Sequence, residues 1–180
     1  MLRFCPNCWA EVPSDSQSCP CCGRSLAAGD EDYIDKLICA LRHPEPTRAA
    51  LAIQVLIEML AEPRAIEPLI GLLDTASDAY VLKCAAAALG RFGDPRAVGP
   101  LGRLALDASN PLVVRMAAVD ALARIGGDHA QALLSAAVSD PSPSVRELAH
   151  RVLSSCNDAG RRQKRTARHG PPRAEGSKVE

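Results

Sequence analysis

Two cysteine pairs, Cys5-Pro6-Asn7-Cys8 and Cys19-Pro20-Cys21-Cys22-Gly23, fall within about two dozen residues of the start of the chain. Each C-x-x-C lets two thiolates from one tight turn reach a single metal ion. Two such turns complete a tetrahedral shell and leave no position for water or substrate. A closed shell implies structural metal, and the expectation is one Zn2+ held by Cys5, Cys8, Cys19 and Cys22. Cys21 is an alternative ligand to Cys22, although only the Cys19 and Cys22 spacing mirrors Cys5 and Cys8. Two rival chemistries use the same residues. A pair of disulfides needs an oxidising compartment, whereas Met1-Leu2-Arg3-Phe4 opens no apolar leader, so a reducing, cytoplasmic setting is expected. A redox C-x-x-C is expected beside a βαβ pattern, which is absent here.

The segment resembles the short zinc-ribbon module found at the head of many bacterial proteins, built from two Cys-Pro-x-Cys-Gly knuckles. Cys19 to Gly23 matches the pattern fully, while Trp9 stands where the first knuckle usually has Gly. The resemblance covers residues 1–25 and implies a docking or nucleic-acid-contacting appendage.

The rest of the chain must carry this module, and composition limits how. Of 180 residues, 47% are apolar but only 3% are aromatic, so a core has to be built from Ala, Leu, Ile and Val. Small apolar side chains with high helix propensity favour closely packed helices. No apolar run approaches the ~20 residues needed to cross a bilayer, so no membrane role is expected.

Internal repetition decides the architecture. The stretch from Val113 to Gly126 aligns with Tyr80 to Gly93 at an offset of 33, with apolar positions matched throughout. The same register places Leu56, Leu89, Leu122 and Leu153 at equivalent sites. A second element precedes the later copies: Pro63-Arg64-Ala65-Ile66-Glu67-Pro68-Leu69, Pro95-Arg96-Ala97-Val98-Gly99-Pro100-Leu101, and a weaker Ala130-Gln131-Ala132-Leu133-Leu134. Each repeat is therefore a helix pair. Gly93-Asp94-Pro95 and Gly126-Gly127-Asp128 supply a left-handed stop and an N-cap, and Asn110-Pro111 and Asp140-Pro141 do the same within repeats. Pro68 and Pro100 lie about a turn into their helices, which must either kink there or begin as a short separate turn.

These residues resemble the short HEAT-like repeats first associated with phycobilisome lyases, with residues 93–126 fitting the pattern closely. The resemblance covers residues 32–155 as four helix pairs, the first lacking the signature first helix, so that Asp32 to Arg42 caps the stack. It implies an all-α fold: a right-handed α-solenoid of about four helix pairs over 32–157, preceded by the zinc ribbon (1–25) and a linker (26–31), and followed by a disordered basic tail (158–180). Of the family's repeated Arg, Arg115 and Arg146 are kept, while Ala49 and Leu82 occupy the corresponding places; the resemblance implies that such an Arg braces a neighbouring loop.

Catalytic constellations do not assemble. The family includes iron-dependent hydroxylases with His-Glu pairs on repeated helices, but His43, His129, His150 and His169 are scattered singly. Cys84 aligns with Ala117, which suggests a small packing residue, and no phosphate-loop, zincin or nucleophile-elbow motif occurs. A non-catalytic binding protein is the expectation.

Two surfaces are candidates for binding. In the family the second helix of each pair lines the concave side, and helical spacing leaves Met116, Asp120 and Arg124 outward, with Arg91 aligned to Arg124 and Arg151 to Asp120. A protein or peptide partner with an acidic group near Arg91 and Arg124 is expected there. After Gly160 the chain becomes basic: residues 160–180 hold seven Lys or Arg against two Glu, net +5, leaving residues 1–159 at −5. Arg161, Arg162, Lys164, Arg165 and Arg168 make a nucleic-acid-associated factor, gripping phosphates with ribbon and tail, the alternative to a protein adaptor. A lyase or oxidoreductase of the HEAT-like branch is the remaining one.

Overall fold

The computed structural model describes residues 2–5, 8, 10–26 and 33–168, with side chains for 5, 8, 10–26 and 33–155. The N-terminal module is a hairpin of β1 (Leu2–Phe4) and β2 (Glu11–Pro13), antiparallel with Arg3 opposite Val12. Strand alternation turns Val12 inward and Glu11 and Pro13 out. Val12 meets Cys5, Cys19 and Leu26 in a small cluster that Cys8 joins from its edge. Leu26 is buried there, and its amide donates to the Gln17 carbonyl at 2.7 Å. The module therefore runs through Leu26, one residue beyond the expected boundary.

The helices are α1 (Tyr33–Ala40), α2 (Pro46–Gln54), α3 (Ile66–Thr75), α4 (Ala79–Phe92), α5 (Val98–Leu106), α6 (Leu112–Ile125), α7 (Gly127–Ala137) and α8 (Pro143–Arg168). They pair in order, and the second helices α2, α4, α6 and α8 stack as one row with the first helices against them. A single apolar core runs through the stack, with Leu56, Leu69, Leu89, Leu101, Leu122 and Leu134 fully buried. Each pair buries its face only against its neighbours, as expected of a solenoid. Leu153, the last of the four aligned leucines, is half-buried at the end of the stack.

Local chemistry explains the helix starts. Pro63–Ala65 and Pro95–Ala97 form separate 3-10 turns, so Pro68 and Pro100 fall at the third position of α3 and α5, where no intrahelical N–H bond is owed. Of the two expectations, the short separate turn is what forms. Glu62 and Asp94 cap these turns, accepting from the Arg64 and Arg96 amides at 3.0 and 2.9 Å. The Arg96 side chain also bonds Asp94 and holds its carboxyl below the usual range. Two expected caps differ. Asp128 lies inside the first turn of α7, whose cap is Gly126, and Asn110 turns back to donate to the Leu104 carbonyl at the end of α5.

One feature of the first pair breaks the repeat. Leu56 and Glu62 are six residues apart, whereas their counterparts Leu89 and Asp94 are five apart. The extra residue is absorbed as a π-helix, Val55–Met59, closed by the Leu60 amide on the Val55 carbonyl at 3.2 Å. The chain then leaves through Ala61 at φ 46, in the left-handed region that Gly93 occupies at φ 70. An alanine there carries about 1 kcal/mol of strain. Ala61→Gly is therefore expected to stabilise the protein by roughly 0.5–1 kcal/mol. Chemical denaturation checks this, and a lowered midpoint would mean that Ala61 is unstrained.

Helix α8 runs from Pro143 to Arg168, into the basic segment that begins after Gly160. Gln163, Lys164, Arg165, Ala167 and Arg168 are good helix formers, and their lack of apolar periodicity does not prevent continuation of a helix already nucleated in the core. The part of the expected tail at 169–180, and most of the linker, at 27–31, lie outside the described residues.

Candidate metal centre and interaction face

Two tight turns bring the cysteines together. The Cys5 amide donates to the Ala10 carbonyl at 2.9 Å, closing the loop that carries Cys8. The Cys19 amide donates to Arg24 at 2.8 Å and the Gly23 amide to Cys19 at 2.9 Å. Gly23 sits at φ 73, a turn only glycine makes without strain. As a result the Sγ atoms of Cys5, Cys8, Cys19 and Cys22 all lie within 4.8 Å of one another, with Cys5 to Cys22 and Cys8 to Cys19 each at 3.6 Å. A tetrahedral metal with bonds of about 2.3 Å to sulfur sets edges of roughly 3.8 Å, so the donor set fits one ion. It is also too long for disulfides, whose sulfurs stand ~2.05 Å apart. Cys21 is exposed and outside the cluster, which settles the choice between it and Cys22.

The Ala10 backbone bond favours the Cys8 thiolate, but burial and the sulfurs of Cys22, Cys19 and Cys5 outweigh it and push the thiol up to about 12. Among the described residues this is the sole cluster of three or more His, Cys, Asp or Glu side chains that could hold a metal. His43 Nδ1 accepts from the Glu45 amide at 2.9 Å, and His129 and His150 are exposed on separate helices.

The outward face of the second-helix row forms the other candidate. Arg91, Arg124 and Arg151 are exposed along it, while Met116 and Asp120 are half-buried. Arg91 Nη1 donates to Glu58 Oε1 at 3.0 Å, and Arg124 Nε donates to Asp120 Oδ2 at 2.8 Å. Both arginines thus have a carboxylate of their own, a pairing missed at the sequence level although Glu58 and Arg91 share one repeat position. Exposed apolar side chains continue the face at Leu51, Tyr80 and Val113. Arg161, Arg162, Lys164, Arg165 and Arg168 belong to the last turns of α8, and their side chains lie outside the described residues.

Inside the stack, Arg115 and Asp140 are buried and joined by a hydrogen-bonded ion pair. Arg115 Nε also donates to the Ala105 carbonyl at 3.0 Å, and Arg146 Nη1 donates to the Asp140 and Pro141 carbonyls at 2.8 and 3.0 Å. The arginine bridges the loop of its own pair to that of the next. At the equivalent place in the first pair Ala49 leaves a hollow of about 480 Å3, lined also by Leu41, Ala76 and Asp78.

Stacked pairs and aligned buried leucines make up one repeating unit. Residues 34–114 match the family of HEAT repeats, and residues 114–140 match the PBS lyase HEAT-like repeat. The helical body is a HEAT-repeat array. HEAT-type repeats are often interaction scaffolds, so the exposed second-helix face is the functional candidate beside the thiol cluster. No curated protein matches the chain. Among the described residues, no helix of the HEAT array is long and apolar enough to cross a membrane.

Proposed function

We propose that this chain is a non-catalytic cytoplasmic adaptor, in which a zinc ribbon and a HEAT solenoid present two binding elements on one polypeptide. The observation that carries the reading is the second-helix row, which exposes Leu51, Tyr80 and Val113 as well as Arg91 and Arg124. In HEAT arrays that row lines the concave side, where a protein or peptide partner docks. Zinc suits four thiolates in a closed tetrahedral shell, and a full shell has no open position for substrate. A reducing compartment suits four clustered thiols.

The test is capture of partners from the native cell by the full chain, identified by mass spectrometry, with an Arg91→Glu, Arg124→Glu double variant in parallel. Both side chains are about half exposed, so the variant should keep its helical circular dichroism. Charge reversal at the contact is expected to weaken the purified partner at least about tenfold. Unchanged affinity would move the binding site to the ribbon or to the basic segment after Gly160. Affinity for a mixed oligonucleotide that falls steeply with salt, and is lost on deleting 160–180, would instead favour the nucleic-acid reading.

A further inference from the structure

The second helices do not pack evenly. At Gly90 a Cβ would lie 2.7 Å from the Ala121 Cα, so α4 and α6 touch backbone to backbone. One repeat earlier the same two positions are Ile57 and Ala88. The isoleucine, carried on the π-helix, stands at the position where glycine permits contact between α4 and α6. A groove of about 470 Å3 opens between α2 and α4, walled by Leu51, Ile57, Tyr80 and Ala88 and ending at Glu58 and Arg91. Its apolar rim is exposed, with Leu51 at 60% and Tyr80 at 51%.

The polar end has open donors. Both oxygens of the Glu58 carboxylate are engaged in the groove wall, Oε1 accepting from Arg91 and Oε2 from Gln54 at 3.0 Å. Arg91 uses only Nη1, and its other N–H groups have no partner among the described residues. The groove therefore offers an apolar slot that ends at guanidinium donors open to an acceptor.

We infer that the α2/α4 groove binds a peptide segment of a partner protein in which a large apolar side chain is followed closely by an acidic one. The apolar residue fills the slot between Leu51 and Tyr80, and the carboxylate takes the open donors of Arg91. This assignment rests on the adaptor reading and narrows it to one repeat junction. The groove lies at the junction that includes the π-helix, where Ile57 stands at the position of Gly90.

Selection from a library of random phage-displayed peptides, roughly a dozen residues long, against the full chain tests it. Enriched peptides are expected to share Phe, Leu or Trp beside Asp or Glu, and synthetic copies should bind at least about tenfold more weakly to Tyr80→Ser and to Arg91→Glu. Both positions are exposed, and circular dichroism confirms that the variants are folded. Replacing the peptide's acid by Lys should restore binding to Arg91→Glu while weakening it to the wild type. Enriched peptides that lack an acid, or that bind both variants as well as the wild type, would overturn the assignment. If their binding depends instead on Val113 and Arg124, the adaptor reading stands and the groove is excluded. A library that yields nothing above background would count against both.

Discussion

Chelating the metal is expected to unfold the N-terminal module while leaving the helices standing. The module's apolar core is Cys5, Val12, Cys19 and Leu26, and two of these four are proposed ligands. Chains below about 40 residues seldom fold on such a core without help. Metal binding should supply most of the folding free energy, on the order of 10–16 kcal/mol for thiolate and imidazole sites of this size. Cys5→Ser and Cys19→Ser, each removing a buried ligand, should lose the metal, whereas Cys21→Ser should keep it. Elemental analysis of protein purified without added metal should give about one zinc per chain. Helical circular dichroism should barely change, since the solenoid lends no ligand; the nearest link is Arg24 Nη1 on Cys39 Sγ at 3.3 Å, at α1. Two disulfides in place of metal, or metal lost with Cys21 and kept without Cys22, would contradict this.

The second large effect is expected at Asp140. Its carboxylate takes a hydrogen bond from Arg115 and, through Oδ1, one from the Ser142 amide at 2.8 Å, with 6% of the residue exposed. Asp140→Ala would leave the Arg115 guanidinium, 4% exposed, without its counter-ion inside the stack. Stranding a buried charge costs about 3–5 kcal/mol. Arg103→Ala breaks the Arg103 to Asp74 pair at 3.0 Å, but those side chains are 64% and 59% exposed, so that loss should be within about 1 kcal/mol. Leu122→Asp, which puts a charge into the core between repeats, should match or exceed the Asp140 effect. Denaturant midpoints separate these cases. An Asp140→Ala protein as stable as Arg103→Ala would show that the pair carries no weight.

The repeat was legible because its signals are periodic. Leu56, Leu89 and Leu122 align and are all buried, and Arg115 and Arg146 do brace loops as the repeat pattern implies. The cysteine spacing likewise picked four thiols that lie together. What escaped was non-periodic. The π-helix shows only as a one-residue change in spacing between Leu56 and Glu62, visible once two offsets are compared rather than one. The partner of Arg115 lies in the next repeat, at an Asp140 that looked like a helix cap. Capping logic also failed at Asp128, where a glycine with φ 71 already turns the chain.

Whether binding occurs on the second-helix row is read most directly by amide hydrogen exchange of the full chain with and without a purified partner. Slowed exchange across Pro46–Gln54, Ala79–Phe92 and Leu112–Ile125, with the first helices α3 and α5 unchanged, is the expected result. Protection gained only in residues 2–26 or beyond residue 160, with α2, α4 and α6 untouched, would contradict it.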